Sequence, residues 1–206
     1  MLRVSLLAAL CLLPALLNAQ ESTWQQFKKL SRPEKCWAIT HPFIAKKAAA
    51  VSARASATAN KLASDTILDG DANGGQVDAF RHAYWMATLS QALPWRAAWK
   101  LGKAHERGNK IQYKRKELED GTLPDAISSE MDEFNNKIGL ELARENPSAT
   151  PQELQQLVIQ AIVKGEMLVV AKNAAGQSLT CAGTVLPDKA WQGKWENERC
   201  LKPSNQ

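Results

Sequence analysis

The chain has 206 residues, 45% hydrophobic and 23% charged, with a formal net charge of +5, which is enough for one domain with a substantial core. Its lysines and arginines are spread along the sequence, which excludes the clustered basic face of a nucleic-acid binder. A mild attraction to anionic surfaces such as cell walls or phospholipid remains. No apolar run after Leu17 reaches the length of a membrane span, so the protein is not expected to be membrane-spanning.

Met1-Leu2-Arg3 is a short basic start, Val4 to Leu17 is apolar, and Asn18-Ala19-Gln20 offers a small residue for cleavage. This pattern predicts a signal peptide over residues 1–19, cut after Ala19, and a single helical domain over 20–206 that is periplasmic or secreted. Leu10 precedes Cys11 where a lipid-anchored protein would carry a small residue, so no lipid anchor is expected.

Thr23 to Leu30 reads as a short helix. His41-Pro42 opens an alanine-rich helix to about Ser64, in which Ile44, Ala48, Val51, Ala55, Ala59 and Leu62 recur at spacings of three and four. Asp69 to Gly75 is turn chemistry. A helix then runs from about Asp78 to Gln91, and another from Leu93-Pro94 carries His105 just before Gly108. Lys110 to Glu119 suggests a separate, charged short helix. Ser128 to Glu145 and Thr150-Pro151 to Lys164 read as two more. Beyond Gly165, Met167 to Ala171 and Ser178 to Thr180 flank a turn at Asn173 to Gly176, the pattern of a small hairpin. The tail from Leu186, with Trp191 and Trp195, is expected to be irregular and to pack back on the helices. The fold class is mostly α, with a small C-terminal β-hairpin and a disulfide-linked tail.

Cys36, Cys181 and Cys200 survive removal of the leader. An oxidising compartment favours one bridge: Cys181–Cys200 first, with Cys36 as the alternative partner of Cys200.

The chemistry gathers in three segments. On the Asp78 helix, Asp78, His82 and Trp85 share a narrow sector with Arg81 on its border, because residues three and four apart share a face. Asp132, Asn135, Asn136 and Gly139 make a polar stripe on a later helix, while Met131, Phe134, Ile138 and Leu142 are expected to form its core face. A mid-helix glycine costs about 1 kcal/mol against alanine, so Gly139 suggests close approach by another backbone or a ligand. His105-Glu106 supplies a third wall.

Three chemistries fit. In metal-assisted hydrolysis, His82, His105 and Asp132, with Asp78 or Glu106, hold a divalent cation (zinc or calcium) that lowers the pKa of a bound water. In metal-free acid–base catalysis, one histidine is the base, oriented by a carboxylate, and Arg81, Asn135 and Asn136 stabilise negative charge. In a structural role, the same groups bond helices together. Asp69-Gly70-Asp71-Ala72-Asn73 also opens like an EF-hand calcium loop, but position twelve is Phe80 where a bidentate Glu is needed, which favours an Asx-type turn.

Asp78-Ala79-Phe80-Arg81-His82-Ala83-Tyr84-Trp85, Ala104-His105-Glu106 and Asp132-Glu133-Phe134-Asn135-Asn136 to Gly139 resemble the motif blocks of an uncharacterised family. That family comprises secreted bacterial proteins and Rhs-type polymorphic toxin C-terminal domains. The resemblance implies an enzyme or effector and points to Asp78, Arg81, His82, His105, Glu106, Asp132, Asn135 and Asn136. Arg81-His82 and Tyr84 are also similar to the helix of secreted prokaryotic phospholipases A2, although Ala79 and Ala83 stand where that helix has Cys and a calcium-holding Asp. The expected function is an exported hydrolase or toxin-like effector, with Asp78, His82, His105, Glu106 and Asp132 doing chemistry and Arg81, Trp85, Asn135 and Asn136 contacting an envelope polymer, lipid or phosphoester. The alternative is a non-catalytic binding protein whose Trp95, Trp99, Trp191 and Trp195 meet a partner.

Overall fold

The computed structural model describes residues 23–118 and 122–206, so the signal-peptide assignment lies outside the described residues. Among these residues eight helices and one two-stranded sheet form. They are α1 (Thr23–Lys29), α2 (Arg32–Thr40), α3 (Pro42–Leu62), α4 (Gln76–Ala92), α5 (Trp95–Arg115), α6 (Ala126–Glu145), α7 (Pro151–Lys164), β1 (Leu168–Val170), α8 (Asp188–Trp191) and β2 (Leu201–Pro203). No described helix is long and apolar enough to cross a membrane.

Helix α2 is one the apolar periodicity does not announce. It begins with a capping box: Ser31 Oγ accepts from the Glu34 amide, and Glu34 Oε2 accepts from the Ser31 amide at 2.8 Å. Pro33 fits the first turn, where its missing N–H is no loss. α5 continues through Gly108 to Arg115, so the expected break before Lys110 does not occur. A Cβ at Gly108 would lie 2.5 Å from Ser31 Oγ, so this glycine lets the start of α2 rest on α5. α6 starts at Ala126, earlier than Ser128, because Asp125 caps it and accepts from the Ser128 amide at 2.9 Å.

Helix α4 is the hub, with apolar residues buried all round it. Phe80 and Tyr84 join Leu154, Ile162 and Met167 in one cluster. Met86 and Leu89 join Trp37 and Leu101 in another. Its closest crossing is with α6. A Cβ at Gly139 would sit 2.0 Å from the Ala83 carbonyl oxygen, so the two backbones touch there, as the mid-helix glycine suggested.

That crossing adds a second inward face to α6. Met131 is buried and Ile138 and Leu142 pack half-buried against the core as expected, but Phe134 is exposed. The polar stripe of Asp132, Asn135, Asn136 and Gly139 is also turned inward. The physical reason is the glycine: the face that allows backbone contact packs as well.

The C-terminal sheet pairs differently from a local hairpin. β1 runs antiparallel to β2, with Val169 opposite Lys202. The turn over Asn173–Gly176 forms, but its flanks are joined only by an isolated bridge between Lys172 and Ser178. The disulfide joins Cys181 to Cys200, the first of the two expected pairings, and Cys36 is free and exposed. The tail does pack back: Trp195 lies against Tyr113 at 5.3 Å, and Trp191 lies under the Arg199 guanidinium. Trp95 and Trp99 are exposed.

Candidate functional site

The loop before α4 places its first catalytic candidate. Asp69 Oδ1 accepts from the Asp71 amide, Asp71 Oδ1 from the Asn73 amide, and Asp69 Oδ2 from the Gln76 amide at the helix start. The first two are Asx turns, and all three bonds spend the acidic loop's oxygens on its own backbone. Asp71 is also ion-paired with Lys172, the Val170 amide donates to the Gly74 carbonyl, and Gln76 Nε2 donates to the Ser204 carbonyl. The C-terminal segment thus holds the loop from outside. The Gly74 amide in turn donates to Asp78 Oδ2 at 2.7 Å.

Asp78 Oδ1 accepts from Arg81 Nη2 at 2.6 Å and lies 3.5 Å from His82 Nε2. The same Nε2 lies 3.3 Å from Asp132 Oδ1, delivered across the α4–α6 crossing. The three residues are 6%, 4% and 6% exposed. Their ligand atoms all lie within 4.8 Å of one another, a grouping able to hold a metal ion. Two atoms of this group have no aligned hydrogen bond, Asp132 Oδ1 and His82 Nδ1.

The electrostatics follow from crowding acids in a dry place. Burial alone would raise Asp78, but the His82 hydrogen bond, the His82 and Arg81 charges and the Gly74 amide hold it well below the carboxylate range. Burial presses His82 toward neutrality, and the nearby Asp132 and Asp78 more than offset it, so its pKa is raised. Asp132 is pushed well above the carboxylate range by burial, and the charges of Asp78 and Glu106 add to this against His82 and Arg81.

The other predicted residues separate into distinct roles. His105 is close, with its ring 6.2 Å from that of His82, but its Nδ1 bonds Glu34 Oε1 at 3.0 Å. Asp78 therefore takes the place expected of His105 in the group that converges on one point. Glu106 is buried apart from the trio, and its two oxygens accept from Asn109 at 3.1 Å and Asn136 at 3.2 Å. Asn135 is fully buried and spends its side chain on a backbone. Its amide donates to the Leu168 carbonyl at 2.9 Å and accepts from the Leu168 amide at 3.0 Å, so it is a bracket between α6 and β1. Asn136 likewise supports Glu106. Trp85 lines the cleft, with Nε1 donating to Ser52 Oγ at 2.7 Å.

Glu34 was missed by the sequence reading. It is 71 residues from His105, and its only local signal is its place in a capping box. Burial would raise its pKa, but the hydrogen bond and charge of His105 and the Ser31 contacts lower it to about 2.

Arg81, His82, Trp85, His105 and Glu34 lie on the wall of a cleft of about 500 Å³, bounded opposite by α3. A larger hollow of about 640 Å³ beside Asn146 and Gln160 lies away from these groups. Its one acid, Glu153, is occupied in capping α7.

Residues 35–166 match the domain of unknown function DUF6973. That span is more than half of the chain, and the protein belongs to this family. No curated protein and no solved structure matches the chain.

Proposed function

We propose that this member of the DUF6973 family is a metal-assisted hydrolase in which Asp78, His82 and Asp132 hold a divalent cation and the α3 cleft admits the substrate. One observation carries the reading: a single imidazole nitrogen lies 3.5 and 3.3 Å from oxygens of two different carboxylates. In a tetrahedral site with bonds of about 2.0–2.1 Å, neighbouring ligand atoms stand roughly 3.4 Å apart. The charges agree, because two aspartates and nearby Glu106 outweigh Arg81 when His82 is neutral. One imidazole with two carboxylates suits zinc better than calcium, which takes six to eight oxygens.

A cation there would lower the pKa of a water toward neutrality. Arg81, fixed by Asp78, supplies positive charge at the cleft wall for a developing oxyanion or a phosphoryl oxygen. His105, oriented by Glu34, stands across the same cleft as a second group able to move a proton. Glu106, held by Asn109 and Asn136, adds negative charge behind Asp132. The exported, toxin-like setting rests on the basic-apolar leader and on the motif resemblance, and the Cys181–Cys200 bridge fits an oxidising compartment.

A second reading keeps the residues and drops the metal. It is favoured by His82 Nδ1, which is buried without a partner while Nε2 faces the acids. That leaves the ring one nitrogen for proton transfer and makes His82–Asp132 a base with its orienter.

Elemental analysis of the purified chain, a thermal melt with and without chelator, and a screen on peptidoglycan, phospholipid and phosphoester substrates test both. A cation held at a hundredfold above its Kd adds about 2.7 kcal/mol, or roughly 5–10 °C in Tm for a chain of this size. The metal reading expects that shift, and expects His82→Ala to abolish it together with turnover. Activity that survives the chelator supports the metal-free pair, and no turnover on any substrate rejects both.

A further inference from the structure

The cleft beside the cluster has a direction. α3 and α4 run past each other in opposite senses, with Trp85 bonded to Ser52 and Tyr84 beside Thr58. Arg81 and His82 therefore lie toward the Ser56 end, together with Glu34 and His105. Away from them the lining changes to Ala45, Ala49 and Ala53 on one side and Trp37, Ala38 and Leu101 on the other. That end carries no charged side chain. From Ala53 to Ala45 the helix rises about 12 Å. At roughly 1.2 Å per bond of an extended chain, this matches an alkyl tail of about ten carbons.

We infer that this cleft binds a single unbranched acyl chain, with its carboxyl or ester group at Arg81 and His82 and its tail along the alanines of α3. Three features support this occupant. Between Ala45 and Ala53 the wall presents mostly methyl groups and indole faces, and its one hydroxyl, Ser52, already accepts from Trp85, which favours an apolar chain over a peptide backbone or a sugar. The alanine side chains are short, so they leave room for an extended chain to lie along α3. The cation at the polar end meets the one end of such a molecule that is polar or anionic.

The assignment rests on the proposed hydrolase only for the reaction that would follow. There, water oxygen adds to the ester carbonyl carbon, the carbon–oxygen bond to the alcohol breaks, and the water's proton passes through His105 to the departing alkoxide. The products are a medium-chain acid and an alcohol. Binding of the chain is a separate property and is measured separately.

The purified chain is titrated calorimetrically with acetate, hexanoate, octanoate, decanoate and palmitate. It is also assayed on p-nitrophenyl esters of the same acids. Affinity is expected to rise about two- to fourfold per methylene, fourfold being full burial, and to level off near ten carbons. Ala49 is exposed on the cleft wall, so Ala49→Trp fills the trough without touching the core. It should weaken decanoate binding at least tenfold and lower decanoate ester turnover, with the Tm unchanged. Ala50→Trp, exposed outside the cleft, should change none of these. Affinity that ignores chain length, or equal effects of the two tryptophans, overturns the inference. Decanoate binding without turnover of these esters or of the peptidoglycan, phospholipid and phosphoester substrates upholds it and sinks the hydrolase reading. Acetate ester turnover without chain preference does the reverse.

Discussion

Two buried charge clusters sit two turns apart on the N-terminal half of α6. At its N-terminus, Arg199 pairs with Asp125, donates to Ser128 Oγ at 2.9 Å and lies over the Trp191 ring. Both partners are nearly inaccessible. Arg199 keeps one nitrogen, Nε, without a partner, but its charge is matched one to one. Two turns further along, Asp132 meets Asp78 and His82 with acids in excess, and His82 opens on a cleft. Burial of charge is therefore not what marks a site in this molecule. Excess of one sign beside a reachable hollow marks it, because a protein that only needed to join helices would close the pair, as the Arg199 end does.

The largest difference should appear in activity. Asp132→Asn keeps the shape of the side chain and removes an acid that burial disfavours. It should cut turnover by about a hundredfold or more and leave the Tm unchanged or raised, read by assay and melt on the same sample. A clear fall in Tm would place Asp132 with the structural pairs instead.

Asp125→Ala should act the opposite way. It strands the buried Arg199 charge at about 3–5 kcal/mol and lowers the Tm by roughly ten degrees, with kcat of the surviving folded fraction intact. Replacing both partners, Asp125→Leu with Arg199→Met, should recover much of that loss.

Gly139→Ala tests the crossing that builds the site. A Cβ 2.0 Å from the Ala83 oxygen must force α4 and α6 apart. About 3 kcal/mol of destabilisation is expected from overpacking, with loss of metal uptake in whatever remains folded. Retained stability would mean that the helices tolerate a shift.

The effect confined to acid pH concerns Glu34. Its pKa is lowered on folding, from an ordinary 4.5 to about 2, so the unfolded chain binds the proton more tightly. Its stabilisation is fully present above pH 4.5 and drains away as the pH falls toward 2. The full shift corresponds to roughly 3 kcal/mol. Glu34→Gln should flatten stability between these limits, measured as urea midpoints against pH, and an unchanged slope would show that His105 does not hold it.

Much of this was legible in the residues. The helical sectors placed Asp78 with His82 and Asp132 with its amides, and Gly139 announced a contact. The disulfide ranking also held. The full inward face of α6 was not legible, because hydrophobicity assigns Phe134 to the core while backbone contact at Gly139 turns the polar stripe inward. Neither was the choice of Asp78 over His105 in the cluster, since helical sectors give directions on each helix but not the crossing between helices. The pairing of β1 with β2 was hidden for a related reason: the partner strand lies beyond a disulfide loop, where local turn chemistry carries no information. α2 was written in the chain, in Ser31, Pro33 and Glu34, but without an apolar period to draw attention to it.

The brace on the acidic loop carries a consequence for how the family region works. Lys172, Val170 and Ser204, which fix Asp71, Gly74 and Gln76, all lie after residue 166, where the DUF6973 match ends. Glu34, which steadies His105, lies one position before it begins. A fragment trimmed to the matched region would retain the Asp78–His82–Asp132 cluster yet lose the scaffolding that aims two of its side walls. Relatives with other flanking segments would need a different prop for the same loop, and the extensions are where divergence in performance should be sought.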